Sequence, residues 1–300
     1  MKNIFLVVLN LAIFNIISKE RSSSEPYVSG DTFRKFCNFI VDETDTPFEP
    51  SQVKNGNTIF VSTEPLSNLK KFFEEYHPKI NAQYILITHN GDRNMPGEFF
   101  KYLDDEKIFV WLTQDMDLKY HKKMIPIPIG LENKHWNRNY SEIIDKLIGK
   151  RINLEPKRYL LYANFNISNN LRIRKPIEFF FKQKNFCFFE TSRKNVYDYL
   201  VDVCHSKFIL SPHGNGLDCH RTWEALYLET IPIVKTSTLD KLYDDLPVII
   251  VDSWKSVTPE FLEKKYIEMQ NKVHKKEKLY FNYWANLITE YQNKCRNVRQ

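Results

Sequence analysis

Short apolar runs alternate with amphipathic segments along most of the chain, and the alternation occurs twice. Phe33, Phe36, Cys37 and Ile40 recur at helical spacing. Thr58–Ser62 predicts a strand, and Pro65–Tyr76 a helix with proline in its first turn. Gln83–Thr88 predicts a strand running into the turn composition His89-Asn90-Gly91-Asp92. A short helix is expected over Pro96–Leu103, a strand over Ile108–Leu112, and an edge or extended segment over Ile125–Ile129, where Pro126 and Pro128 cannot donate to a ladder. Ser141–Ile148 reads as a helix. The text turns polar near Lys150–Pro156 and the alternation restarts: strands at Tyr159–Ala163, Phe186–Phe189, Phe208–Leu210, Ile231–Val234 and Val248–Val251, with helices at Pro176–Lys182, Val196–Cys204 and Leu217–Leu228 between them. Such alternation predicts parallel sheets with helices on both faces. The expected fold class is α/β, with two facing Rossmann-like domains over 30–150 and 155–258.

Two helical stripes follow in 259–300, Leu262, Tyr266, Met269 and Val273, then Tyr280, Tyr283, Trp284, Leu287, Ile288 and Tyr291. At the other end, Lys2 precedes an apolar run from Ile4 to Ile17, shorter than the roughly 17–25 residues of a spanning helix. Residues 1–24 therefore read as a cleaved signal peptide or an uncleaved membrane anchor, and Ser22 to Ser29 as a linker. This places the protein in the secretory-pathway lumen (ER or Golgi) or outside the cell, with membrane association through the N-terminus as the alternative. Two glycosylation sequons, Asn139-Tyr140-Ser141 and Asn166-Ile167-Ser168, agree with that location.

Composition narrows the partners. With 42% hydrophobic and 27% charged residues the chain can bury a core. A net charge of +6, spread among 37 acids, suits an anionic small substrate and lacks the concentrated basic stripe expected for nucleic acid. Five cysteines form an odd set without CxxC or metal-type spacing, leaving one disulfide or free thiols, the latter for Cys204 on an apolar helix face.

The richest chemistry lies in Phe208-Ile209-Leu210-Ser211-Pro212-His213-Gly214-Asn215-Gly216, continuing through Arg221 and Glu224 to Ile231-Pro232-Ile233-Val234. A strand, a glycine loop and a helix start offer amides and a positive dipole end to a phosphate. Arg221 can aim its fork at the same anion, and Glu224 lies on the same helix face, where a carboxylate can accept both hydroxyls of a ribose. The competing reading is a tight turn with a solvated Arg–Glu pair. The loop lacks the Gly-Lys-Ser/Thr of a P-loop, and Cys219 stands where a dinucleotide-binding GxGxxG has its third glycine.

The stretch from Leu210 to Val234 resembles exostosin-like glycosyltransferases, with a close match extending to Trp254. The resemblance implies a GT-B fold with a C-terminal helix returning to the first domain. It also implies a nucleotide-sugar donor, UDP-linked, in the C-terminal domain, no further cofactor, and a glycan or glycoprotein acceptor on the N-terminal side. Carried over, Glu224 would bind the donor ribose, Arg221 and the amides of Gly214, Asn215 and Gly216 the diphosphate, and Lys235 a phosphate more weakly. The sequence departs from the pattern twice. Glu229 replaces the usual glycine before the Ile-Pro strand, where a left-handed residue other than glycine costs about 1 kcal/mol, so a different turn is expected. Gly216 occupies the position of the second carboxylate of retaining enzymes, which argues for inversion.

Inversion needs a base on the acceptor side. Asp92 is the first choice, then His89, then Glu132, though each also reads as ordinary loop structure. Asp115-Met116-Asp117 is the competing pattern, an acidic pair after a strand as in metal-dependent GT-A transferases. No metal is expected under the GT-B reading. His121, His135 and Trp136 are further candidates for sugar contact. A glycan-binding protein without catalysis is the remaining alternative.

Overall fold

The computed structural model describes residues 21–44, 47–136 and 138–297; of the leader expected over 1–24, residues 1–20 lie outside them. Two parallel five-stranded sheets with flanking helices make a Rossmann-like α/β architecture. The first sheet runs β1 (Phe39–Val41), β2 (Asn57–Ser62), β3 (Tyr84–His89), β4 (Ile108–Thr113) and β5 (Met124–Pro126), paired in sequence order. The second contains β6 (Tyr159–Ala163), β7 (Cys187–Phe189), β8 (Ser206–Leu210), β9 (Ile231–Lys235) and β10 (Ile249–Val251), in the order β10-β9-β8-β6-β7.

The helices are α1 (Gly30–Phe36), α2 (Leu66–Lys70, continued by a wider π turn to Tyr76), α3 (Tyr140–Gly149), α4 (Leu171–Phe181), α5 (Val196–Cys204), α6 (His220–Tyr227), α7 (Pro259–Gln270) and α8 (Phe281–Asn297). In β8, Ile209 points to the core shared with the first sheet, while Phe208 and Leu210 enter a second core with Ile177 and Leu262, so both faces are covered. A sheet wound in strict sequence order with right-handed crossovers carries its connections on one face. On the first sheet Phe73, Phe99 and Trp111 gather under those connections. The chain's last helix, α8, packs on β3, and its Phe281 and Trp284 meet Phe33. Gln292 Nε2 also donates to the Gly56 carbonyl at 3.0 Å.

Several expectations change. Ile40 belongs to β1 rather than to a helix. Pro96–Leu103 is a 3-10 helix over Gly97–Asp104. Val273 lies beyond α7 and is 92% exposed. Ser22–Ser29 is no linker: Ser24, Tyr27, Val28 and Ser29 are buried, and the Pro26 carbonyl accepts from Phe281 N at 2.9 Å. Glu229 keeps the left-handed turn without glycine, at φ 59, its carboxylate paired with Lys276 at 3.1 Å. All five cysteines are free. Among the described residues no helix is long and apolar enough to cross a membrane.

Candidate functional site

In the second sheet the strand order reverses between β6 and β8. The connections there leave in opposite directions and open a crevice beyond the carboxyl ends of the strands. An open cleft of ≈ 1170 Å³ lies at this point, walled by Asn164–Ile167 after β6, Gly214–Gly216 after β8, and the start of α6. The first half of the chain supplies the facing wall through Asp92, Ile129, Glu132, Arg138 and Tyr140.

The β8–α6 loop is longer than its hydrophobic pattern suggested, since α6 starts at His220 rather than Leu217. The cause is Asp218, whose fully buried carboxylate accepts from Cys219 N at 2.9 Å, Tyr243 Oη at 3.0 Å, Trp223 Nε1 at 2.7 Å and Ile129 N at 2.9 Å. The last bond crosses to the first half. Burial pushes this carboxyl up to about 6, while its four donors favour the ionised form. In return, Asp115 Oδ1 accepts from Asp218 N at 2.7 Å. Arg174 braces the loop from behind. Its guanidinium donates to the carbonyls of His213 at 2.9 Å, Asn166 at 2.7 Å and Pro212 at 3.2 Å. Gly214 N donates to the Gly216 carbonyl at 3.1 Å, so that amide is engaged within the loop instead of facing an anion. The Cys219 side chain makes no capping bond to α6, and at the same end the Asp218 carboxylate accepts from Cys219 N, so His220 N and Arg221 N are the start amides left for a ligand.

Arg221 and Glu224 both line the cleft. Arg221 Nε donates to the Asn164 carbonyl at 2.9 Å, and the guanidinium carbon lies 5.6 Å from the Phe165 ring centroid. Its Nη1 is buried without a hydrogen-bond partner among the described residues. Such a donor loses its water without compensation, and an anion in the cleft would restore it. Glu224 Oε2 accepts from Tyr199 Oη at 2.8 Å. Burial raises the Glu224 carboxyl to about 7. A raised carboxyl binds its proton more tightly in the folded state, so its penalty is absent below about pH 4.3, the unfolded value, and complete above about pH 7. Glu224→Gln is therefore expected to stabilise the fold by about 1–3 kcal/mol at pH 8 and by little at pH 4.5. Urea denaturation at the two pH values checks this, and equal effects at both would refute it.

The acceptor-side candidates separate. Asp92 is exposed in the cleft and its Oδ2 accepts from Asn215 Nδ2 across the gap at 3.1 Å. Glu132 is paired with Arg138 at 3.1 Å, and its buried Oε2 has no partner among the described residues; burial raises its carboxyl. His89 does not fit the role of base. Its ring is buried, accepts from Asn90 N at 2.7 Å, donates to the Pro128 carbonyl at 3.0 Å and titrates near 4, because burial opposes its charge. Lys235 ends β9 exposed and outside the cleft lining. His121, His135 and Trp136 do not line the cleft either.

Asp115 and Asp117 do not form an open acidic pair. Asp115 is buried at φ 51, committed to Asp218 N and to Gln114 Nε2 at 3.1 Å, while Asp117 N donates to the Met95 carbonyl at 2.8 Å. Neither lines the cleft. Among the described residues no group of three or more His, Cys, Asp or Glu side chains could hold a metal ion. Arg174, Tyr199 and Asp218 carried no signal of their own: only the fold brings Arg174 to the loop and Tyr199 to Glu224, and Asp218, within the loop, is marked out by the distant partners the fold gives it. No protein-family model and no curated protein matches this chain.

Proposed function

We propose that the protein is a GT-B glycosyltransferase that transfers a sugar from a nucleotide diphosphate donor to a hydroxyl of a glycan or glycoprotein, with inversion and without a metal. The observation that carries the reading is the buried, unpartnered Nη1 of Arg221 at a switch-point cleft whose other wall bears carboxylates. Arg221 supplies positive charge, and the start amides of His220 and Arg221 supply donors, where a diphosphate leaves, already oriented before reaction. Glu224 is placed one helical turn on, to accept from the ribose. Asp92 faces the cleft from the opposite wall and would take the acceptor's proton as the acceptor oxygen bonds to the anomeric carbon and the carbon–diphosphate bond breaks. The resemblance over Leu210–Trp254 supports the same assignment.

Calorimetry with UDP and a panel of nucleotide sugars tests the reading, and no binding by any nucleotide would overturn it. Binding without transfer to any acceptor would favour a non-catalytic glycan-binding protein. Transfer is further expected to persist in excess EDTA, because Asp115, which a GT-A site would need, is committed to Asp218. Loss of transfer in EDTA with recovery on adding manganese would overturn the metal-independent mechanism.

A further inference from the structure

We propose that Asp31 is a positioning residue, a buried carboxylate that fixes the two loops carrying Asp92 and Glu132. The inference rests on reading these two as the acceptor-side carboxylates. Asp31 stands in the first turn of α1 with its side chain fully buried. Oδ1 accepts from Arg21 Nη1 at 2.8 Å and from Asn90 Nδ2 at 3.2 Å, and Oδ2 lies 3.1 Å from His135 Nδ1. Its backbone N donates to Asn133 Oδ1 at 2.8 Å, and Asn133 Nδ2 donates to Asn90 Oδ1 at 2.9 Å. Asp31, Asn90 and Asn133 thus close a ring of hydrogen bonds in which each residue touches the other two.

The ring grips loops rather than the sheet. Asn90 follows β3 at φ 58, a conformation that asparagine tolerates better than most residues, and two positions on lies Asp92. Ser62 Oγ donates to the Asn90 carbonyl at 3.2 Å, and Gln114 Nε2 to the Gly91 carbonyl at 2.7 Å. Asn133 directly follows Glu132 in the loop beyond β5. Gly30 makes room for the arrangement, since a Cβ there would lie 1.7 Å from Asn90 Oδ1. A buried carboxylate is tolerated only where its oxygens are paired, and here two of the three partners, Asn90 and His135, belong to the loops that carry Asp92 and Glu132 while Arg21 supplies the charge.

Asp31→Asn keeps the shape but puts a neutral amide in place of the charge that pairs with Arg21 and anchors the ring. Amide hydrogen exchange at 90–92 and 131–133 is expected to speed at least tenfold, with protection in the second sheet at the parental level. UDP affinity is expected to stay within twofold of the parent while kcat for transfer falls more than tenfold. Asn133→Ala, which opens the ring but keeps the Asp31–Arg21 pair, is expected to give the same pattern and serves if Asp31→Asn does not fold. Unchanged loop exchange in Asn133→Ala, or equal acceleration over the whole chain, would overturn the proposal. So would a parallel loss of UDP affinity. If the parent neither binds UDP nor transfers sugar, the functional reading fails, and the exchange pattern alone still decides whether Asp31 holds these loops.

Discussion

Arg221→Ala is expected to weaken UDP binding about ten- to a hundredfold, because a charge-assisted hydrogen bond contributes roughly 1.5–3 kcal/mol. The fold is expected to survive the change. Among the described residues the Arg221 side chain makes one hydrogen bond, from Nε to the Asn164 carbonyl, and Nη1 has no partner. The donor is a charged guanidinium, so losing that bond costs the fold about 1.5–3 kcal/mol. Glu224→Ala is a less clean test than the sequence suggested. Glu224 is buried and accepts from the half-buried Tyr199, so truncation leaves that hydroxyl without its partner beside a void. That penalty is about 1–3 kcal/mol of stability, separate from any donor contact. The pair of variants therefore divides the possibilities. Arg221→Ala that folds normally and binds UDP like the parent would place the anion site elsewhere. Arg221→Ala that unfolds would make its guanidinium a structural strut like that of Arg174.

Much of the architecture was legible because it depends on local pattern. Tyr159–Ala163 is a strand over the residues its apolar run covers, and β2, β3, β4 and α5 fall where expected. The failures have tertiary causes. Ile40 continues a helical spacing, but Cys37 ends α1 in extended conformation and the chain pairs with β2 instead. Leu217 looked like helix, but Asp218 draws four hydrogen bonds that a helical start could not satisfy, so the loop runs on to Cys219. The site was half legible for the same reason. Arg221 and Glu224 share one helix, and their spacing alone puts them on one face. Arg174 reaches the loop from α4 and Tyr199 reaches Glu224 from α5, so nothing in a single segment points to either. His89 and Asp92 illustrate the limit most directly. His89 ends β3 and Asp92 lies three positions on, yet one is buried against Pro128 and the other faces the cleft.

Gly216→Asp, which restores the carboxylate of retaining enzymes, is expected to prevent folding above pH 7. A Cβ on Gly216 would lie 2.2 Å from Asp115 Oδ2 and 2.9 Å from Asp115 Cγ. That oxygen ends a side chain, but the side chain has little freedom. It is buried, its backbone stands at φ 51, and its carboxylate is held by Asp218 N at 2.7 Å and Gln114 Nε2 at 3.1 Å. Even Gly216→Ala should cost about 1–3 kcal/mol through overpacking. A second carboxylate adds like-charge repulsion where burial has already raised Asp115 to about 7. The raised value fixes the direction with pH: the penalty of ionising Asp115 is absent below about pH 3.9, the unfolded value, grows above it and is complete above about pH 7. Gly216→Asp should accordingly recover part of its stability at pH 5. The cause can be isolated by pairing Gly216→Ala with Asp115→Gly, which removes both the obstructing oxygen and a left-handed non-glycine residue. The double variant should be more stable than the sum of the single effects by at least about 1 kcal/mol in urea denaturation. Additive effects, or a Gly216→Asp protein as stable as the parent at pH 8, would refute the contact. In that case the glycine would be free to carry a carboxylate, and the argument for inversion drawn from its absence would lose its physical basis.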